Sequence, residues 1–402
     1  MKKNIKIYSV VNEFSIFLFS LLVFLFIFPF TIVSMSTQFL VLSVSLLSIF
    51  RKVEKWIVIY FVSFLIYIFS VFIYFGEVSY LLVLFLKVLT SYFFAKLLIF
   101  YIPDIRLVLR IIIYACLIHA FIILFQVLLP EFKSLWFSFV VDQSKELFTI
   151  EERLFSPFRN FGVSGFLFAD QSVIFSFAFC LLILSREKFN GICYFSFLTL
   201  LIACAMMSGR SGLFLIFSFL IFIFFLSNFF SKIKILISTS LLVFTASAIL
   251  LTLNPEMFDW AFEPFINLFH GKDLSESSSD TFSRHFYWLN TFNENILGKG
   301  VFTLNRQEYL DIGYHPSDSI YMRFLVSGGL VQLAFFILIY FYFTFKSIVN
   351  LQFLESKYLY FLILFYVFVL FFSLKSFFIF SNFVWFVIFV GCFVKKESLT
   401  RE

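Results

Sequence analysis

The chain has 402 residues, of which 62% are hydrophobic and only 13% are charged, and its mean hydropathy is +1.01. Soluble domains carry about 25% charged residues, so a water-soluble fold of this length would leave much of its apolar surface unburied. Lipid accepts such surface without burial against protein. The composition therefore excludes the soluble classes and predicts an all-α polytopic membrane protein. Nucleic acid is not expected as a partner.

Twelve apolar segments approach the roughly 20 residues that a membrane-spanning helix needs. The predicted spans are residues 14–35, 37–50, 56–75, 78–102, 105–129, 166–185, 190–207, 211–230, 233–253, 319–345, 357–374 and 376–394. The second span is short, and the fourth contains Lys87 and Lys96. The first run is long enough to stay in the membrane, so no cleaved signal peptide is predicted.

Basic residues test this count, because cytoplasmic turns are enriched in Lys and Arg. With the N-terminus inside, every predicted inner turn has a basic residue in it or within two residues of it, from the N-terminal MKKNIK to the C-terminal tail. The short outer turns contain almost none, apart from Arg210 and Lys375. We therefore expect both termini on the cytoplasmic side of the membrane.

Two enlarged loops then fall on the outer side and divide the chain into five regions. These are an N-terminal bundle of spans 1–5 (1–129), a first outer loop (130–165), spans 6–9 (166–253), a second outer loop (254–318), and spans 10–12 with the tail (319–402). The second loop holds ten acidic and four basic residues. Its stretch 256–270 mixes aromatic and acidic residues, which favours an amphipathic helix lying in the interface or packing as a lid on the bundle.

Arg210 lies in SGRSG (208–212), a predicted tight outer turn between two spans. The next span begins at Ser211, so the positive end of its helix dipole faces outward, where it favours phosphate oxygens. A guanidinium beside such a helix end can bind phosphate through two parallel hydrogen bonds. The alternative is an arginine that reaches to lipid headgroups.

The same geometry is predicted at two more spans. Arg159 precedes the sixth span in RNFGVSG (159–165), and Asp170 follows about a turn inside it, either toward substrate or as a partner for a nearby base. The segment HPSDSIYMRF leads into the tenth span. It contains four residues of interest: His315, Asp318, Tyr321 and Arg323. Asp318 is equally suited to cap the helix.

Five short motifs appear in a particular order over about residues 195–345: SGRSG (208–212), SRHFYW (283–288), GKG (298–300), HPSDS (315–319) and GG (328–329). This order resembles the O-antigen polymerase and ligase superfamily. HPSDS is more similar to the polymerase branch, because ligases usually show His followed by Asn. The resemblance implies a GT-C-like all-α fold, about twelve transmembrane helices and two enlarged extracytoplasmic loops.

The resemblance further implies that Arg210 and Arg284, with Arg159 upstream, contact the pyrophosphate of undecaprenyl-linked sugars. His315 is the first candidate for the general base and Asp318 the second. Asp170, Tyr321 and Arg323 are further candidate substrate-binding residues. The leaving group carries its own activation, and the chain has no Asp-x-Asp pair, so no metal or other cofactor is expected.

The expected function is polymerisation of lipid-linked repeat units into O-antigen or capsular polysaccharide at the outer face of the bacterial inner membrane. The expected partners are the undecaprenyl-pyrophosphate-linked donor and acceptor, the lipid bilayer and a chain-length regulator. Four alternatives stay open: an O-antigen ligase, a lipid-linked oligosaccharide flippase, a scaffolding membrane protein and a cell-wall polymerase of the shape-and-division type. The polar mass in the outer loops, rather than along the spans, favours an enzyme over a flippase.

Overall fold

A computed structural model of the chain describes most of the apolar segments and parts of both loops. The described residues are 13–32, 35–46, 55–75, 79–133, 135, 162, 168–185, 191–226, 229–253, 255–271, 286–301, 310–311, 313–314, 317 and 319–394. Four predicted site residues lie outside them: Arg159, Arg284, His315 and Asp318. Arg210, Asp170, Tyr321 and Arg323 lie within them.

Helices make up nearly all of the described chain. In order they are α1 (Glu13–Ile27), α2 (Thr37–Leu46), α3 (Lys55–Phe75), α4 (Ser79–Tyr101), α5 (Ile105–Leu128), α6 (Phe168–Leu184), α7 (Gly191–Ser208), α8 (Ser211–Leu226), α9 (Phe229–Leu253), α10 (Pro255–Phe269), α11 (Phe292–Leu297), α12 (Ile320–Leu351), α13 (Ser356–Phe372) and α14 (Asn382–Phe393). A two-residue antiparallel pair, β1 (Thr31–Ile32) and β2 (Met35–Ser36), joins α1 to α2, and a 3₁₀ turn (Phe378–Phe380) precedes α14.

Length and composition indicate which described helices could span a membrane. Among the described residues, α4, α5, α7 and α12 are each long and apolar enough to cross a membrane, and seven shorter helices are also apolar. The prediction of an all-α membrane protein is therefore confirmed. The predicted second span, 37–50, contains α2, and its residues 47–50 lie outside the described chain, so the count of twelve remains a prediction.

The predicted first span, residues 14–35, is longer than the helix that forms. Helix α1 ends at Ile27, two residues before Pro29, whose ring and missing N–H do not continue a helix. Thr37 then stabilises the hairpin, because its Oγ1 accepts from Phe30 N at 3.2 Å and donates to Leu25 O at 3.1 Å. These bonds satisfy backbone groups that the end of α1 leaves open.

The bundle has a central helix and peripheral ones. Nearly every described side chain of α14 is buried, as expected for a helix that is apolar on all sides and enclosed by protein. Helix α3, by contrast, exposes Ile59, Ile66 and Ile73 at seven-residue spacing. In a membrane this exposed stripe faces lipid.

Contacts between helix ends show which ends lie together. Arg106 at the start of α5 pairs with Glu355 before α13 at 3.1 Å, and Tyr358 in α13 donates to Leu184 O at the end of α6 at 3.1 Å. At the opposite end, Ile320 N donates to Ser373 O at 3.4 Å, which joins the start of α12 to the end of α13. We call this second end, where α5 and α7 finish and α6, α8 and α12 begin, the loop end.

Candidate functional site

The turn SGRSG is held at the loop end by a serine from another helix. Ser172, in the first turns of α6, is fully buried, and its Oγ lies 2.5 Å from Gly209 O and 2.8 Å from Ala205 O. The same oxygen accepts from Gly212 N at 3.0 Å. Gly212 N is one of the free donors at the start of α8, so Ser172 caps α8 from outside the helix.

Glycine at position 212 permits this close contact. A Cβ at Gly212 would lie 2.2 Å from Ser172 O and 2.3 Å from Ser176 Oγ. No side chain fits at these distances, so α6 and the start of α8 can pack this tightly only with glycine here. Arg210, at the N-terminal end of α8 as predicted, is therefore held between two anchored residues.

Arg210 has a partner that the sequence did not predict. Its Nη2 donates to Glu263 Oε2 in α10, and the side chains are 21% and 41% exposed. Phe258 and Phe262 of α10 pack against the core of the bundle. The predicted amphipathic helix is thus confirmed as a helix, and its packing is that of a lid that places a carboxylate on Arg210.

One residue of the first loop returns into the bundle. Gly162, from RNFGVSG, donates its N–H to Gln126 Oε1 at 3.0 Å and accepts from Gln126 Nε2 at 2.7 Å, so its peptide group is matched by a buried amide. Its φ is +56°, and a Cβ would lie 1.9 Å from His119 Nε2. The backbone can approach His119 this closely only because position 162 is glycine.

Asp170 is buried in the first turn of α6, as its position in the sequence predicted. Lys87 of α4 interacts with it electrostatically. This electrostatic interaction favours the alternative interpretation of Asp170 as the partner of a base, and its substrate-binding role stays a prediction.

Arg323 fixes the segment that leads into α12. It is 5% exposed, its Nε donates to Ser317 O at 2.6 Å, and its guanidinium carbon lies 4.2 Å from the centre of the Phe377 ring. Ser317 Oγ in turn accepts from Ser319 N at 3.1 Å. These contacts hold the backbone at Ser317, directly before position 318, and the substrate-binding role of Arg323 stays a prediction.

Tyr321 is the second residue of α12. Its hydroxyl donates to Leu370 O of α13 at 2.7 Å. This contact joins two helices of the bundle, and a role in substrate binding stays a prediction.

The GKG turn is hydrogen-bonded to the residues directly before the GG pair. The sequence analysis did not predict this contact. Helix α12 is broken at Gly328 and Gly329, the latter with φ +66°. Lys299 N donates to Val326 O at 2.6 Å and Gly300 N donates to Ser327 O at 2.9 Å. The turn therefore bonds the carbonyls at the end of the short segment Ile320–Ser327.

Glycines make this junction possible. A Cβ at Gly329 would lie 2.0 Å from Ile296 O, and one at Gly298 would lie 2.5 Å from Gly328 N. Just beyond the break, the buried Gln332 accepts from Ser327 Oγ at 3.2 Å and from Tyr80 OH at 3.1 Å. The sequence signal for this cluster was Gln332, a polar residue three positions after GG in an apolar run.

An ion pair and a tyrosine hold the second loop above the break. Glu294 pairs with Lys299, and Glu294 Oε2 also accepts from Tyr314 OH at 2.9 Å. The hydrogen bond from Lys299 lowers the pKa of the Glu294 carboxyl, and the same bond raises the pKa of the Lys299 ammonium. Both groups are therefore charged near neutral pH, next to the segment that carries His315.

Among the described residues, no group of three or more His, Cys, Asp or Glu side chains is placed to hold a metal ion. No protein-family model, curated protein or solved structure matches this chain.

Proposed function

We propose that the protein is a polysaccharide polymerase of the O-antigen or capsule type, a glycosyltransferase that joins undecaprenyl-pyrophosphate-linked repeat units at the outer face of the bacterial inner membrane. The observation that carries this proposal is the geometry of Arg210. The guanidinium stands at the start of α8, and Ser172 bonds the peptide groups on both sides of it. A fixed cation at a helix N-terminus suits the pyrophosphate of such a substrate.

In the proposed reaction a hydroxyl of the acceptor repeat attacks the anomeric carbon of the donor glycan. A new C–O bond forms, the bond from that carbon to the phosphate oxygen breaks, and undecaprenyl pyrophosphate leaves. Arg210, with Arg284 and Arg159, would stabilise the negative charge that grows on the phosphate oxygen. The acceptor proton would pass to His315 or to Asp318. Asp318 lies between Ser317 and Ser319, the two residues that Arg323 helps to position.

The lid helix α10 enters this proposal through Glu263. A phosphate oxygen would replace the Glu263 carboxylate on Arg210, and the 41% exposure of Glu263 leaves it room to turn toward water. Exposed ion pairs are worth about 0.2–1 kcal/mol, so removing the carboxylate strengthens pyrophosphate binding by about 1.4- to fivefold. We therefore expect Glu263→Gln to lower the concentration of lipid-linked repeat at half-maximal rate, measured with purified protein in nanodiscs.

The test of the function is a surface-polysaccharide gel from a strain that lacks the gene. Complementation with Arg210→Ala is expected to leave single repeats and no ladder, since the phosphate cation is lost. Arg106→Ala is a matched control, because it removes an arginine–glutamate pair of the same kind at the opposite end of the bundle. We expect this control to restore the ladder.

Other outcomes would point elsewhere. A normal ladder with Arg210→Ala would refute the phosphate role of this residue. Lipid-linked polymer that accumulates without reaching its surface carrier would identify a ligase. Single repeats that accumulate on the cytoplasmic face would identify a flippase.

A further inference from the structure

The second loop exposes the side chain of Trp288, whereas the residues directly before and after it pack against the protein. Leu289 is buried beside Tyr314 and residues of the first segment of α12, and the ring of Tyr287 stacks on that of Tyr314 with centres 5.7 Å apart. Side chains alternate sides along extended chain. Trp288, between two inward-facing residues, projects to the other side and is 72% exposed.

Hydrogen bonds at the two residues after Trp288 fix the backbone that carries its side chain. Leu289 N donates to Asn295 Oδ1 and Asn295 Nδ2 donates to Leu289 O, both at 2.9 Å. Asn290 N donates to Tyr314 OH at 3.0 Å. An aromatic side chain on a fixed backbone loses little freedom when it binds a ligand, which is the property of an aromatic anchor.

A second exposed ring and several polar groups lie close by in the chain. Phe292, in the first turn of α11, is 78% exposed. Asn290 lies between the two rings in sequence, and Glu294 and Lys299 follow as a pair of opposite charge. The segment thus combines apolar faces with hydrogen-bond donors and acceptors.

We propose that Trp288 and Phe292 form a platform for the glycan of the substrate, on which sugar rings stack beside the reacting centre; this rests on the proposed function. A sugar ring matches the mixed apolar and polar character of this segment, since the C–H face of the ring is apolar and its edge carries hydroxyls. The bond from Asn290 to Tyr314 joins the platform to the residue directly before His315. Glycan bound there lies next to the segment with the candidate bases, whereas Arg210 binds the pyrophosphate.

The test separates sugar binding from pyrophosphate binding by using a probe without lipid or phosphate. Oligosaccharides released by mild acid hydrolysis from the parent strain's own surface polysaccharide are titrated calorimetrically into the full-length protein in nanodiscs. We expect about tenfold weaker binding for Trp288→Ala, as for loss of one aromatic stacking contact, and near-normal binding for Trp288→Phe. Phe225→Ala, which removes a ring of 74% exposure from α8, is the matched control and is expected to bind as the parent does.

Three results would overturn the platform. The first is that the parent protein binds no oligosaccharide, and the second is that Trp288→Ala binds it as well as the parent does. The third is that brominated lipid quenches the fluorescence of Trp288, measured as the difference between the parent and Trp288→Phe. Such quenching would place the ring in the membrane interface. Arg210→Ala is expected to bind the probe normally. If the oligosaccharide binds to the purified protein through Trp288 but the strain that lacks the gene still makes a normal ladder, the platform is supported and the polymerase is refuted.

Discussion

The capping of α8 by Ser172 gives a prediction whose size follows from the contacts. Ser172→Ala removes the acceptor of Gly212 N and the donor to Gly209 O, whereas Ala205 O keeps its bond from Gly209 N at 3.1 Å. A buried backbone group without a partner costs about 1–3 kcal/mol. The two groups together predict a loss of about 2–6 kcal/mol from the free energy of unfolding.

The same substitution releases both peptide groups that hold Arg210, so polymer synthesis should fall as well. A displacement of about 1 Å at a catalytic group can lower the rate by about 100-fold. Ser176→Ala is the matched control, because Ser176 Oγ donates only to Ser172 O of its own helix at 2.8 Å. We expect the control to lose less than about 1 kcal/mol and to keep its activity. Thermal unfolding in detergent and the polysaccharide ladder measure the two effects, and equal behaviour of the two variants would refute the capping argument.

Other predictions concern the second loop and the start of α12. Gly329→Ala places a Cβ against Ile296 O and is expected to undock the second loop from α12. Limited proteolysis should then cleave the loop faster between residues 286 and 301 than in the parent protein. Because Glu294 has a lowered pKa and Lys299 a raised one, their pair stabilises docking between about pH 4.5 and 10.5, and this stabilisation is lost as the pH falls below the pKa of Glu294. Glu294→Gln should remove the acid-side change, and an unchanged profile of loop proteolysis against pH would refute the pair. Arg323→Met should lower the rate of polymerisation more than substrate affinity, since Arg323 positions its neighbours; a change in affinity alone would argue against that role.

Local patterns in the sequence predicted a large part of the fold. The aromatic and acidic mixture at 256–270 predicted α10, and SGRSG predicted the tight turn between α7 and α8. The main error lies at Pro29, where a continuous apolar run hid a helix end. Hydropathy reports the environment of a segment, whereas a helix end depends on single residues that break or cap it.

The contacts that build the site could not be predicted in the same way. Glu263 lies 53 residues from Arg210, and Ser172 lies 40 residues from Gly212. Such partners depend on how each helix is rotated in the bundle, which no periodic pattern specifies when a helix is apolar on all sides. The run Asp170–Gln171–Ser172 at the start of a span was the only signal for the capping serine.

The junction between the GKG turn and the broken helix α12 has a consequence for how this chain can vary. The loop supplies the donors that the end of the segment Ile320–Ser327 would otherwise take from its own next turn. Loop and helix therefore form one hydrogen-bonded unit, in which a side chain at Gly298 or at Gly329 would clash with the backbone of the other part. A chimera that imports the second loop from another protein should assemble only when the donor's own helix break is transplanted with it.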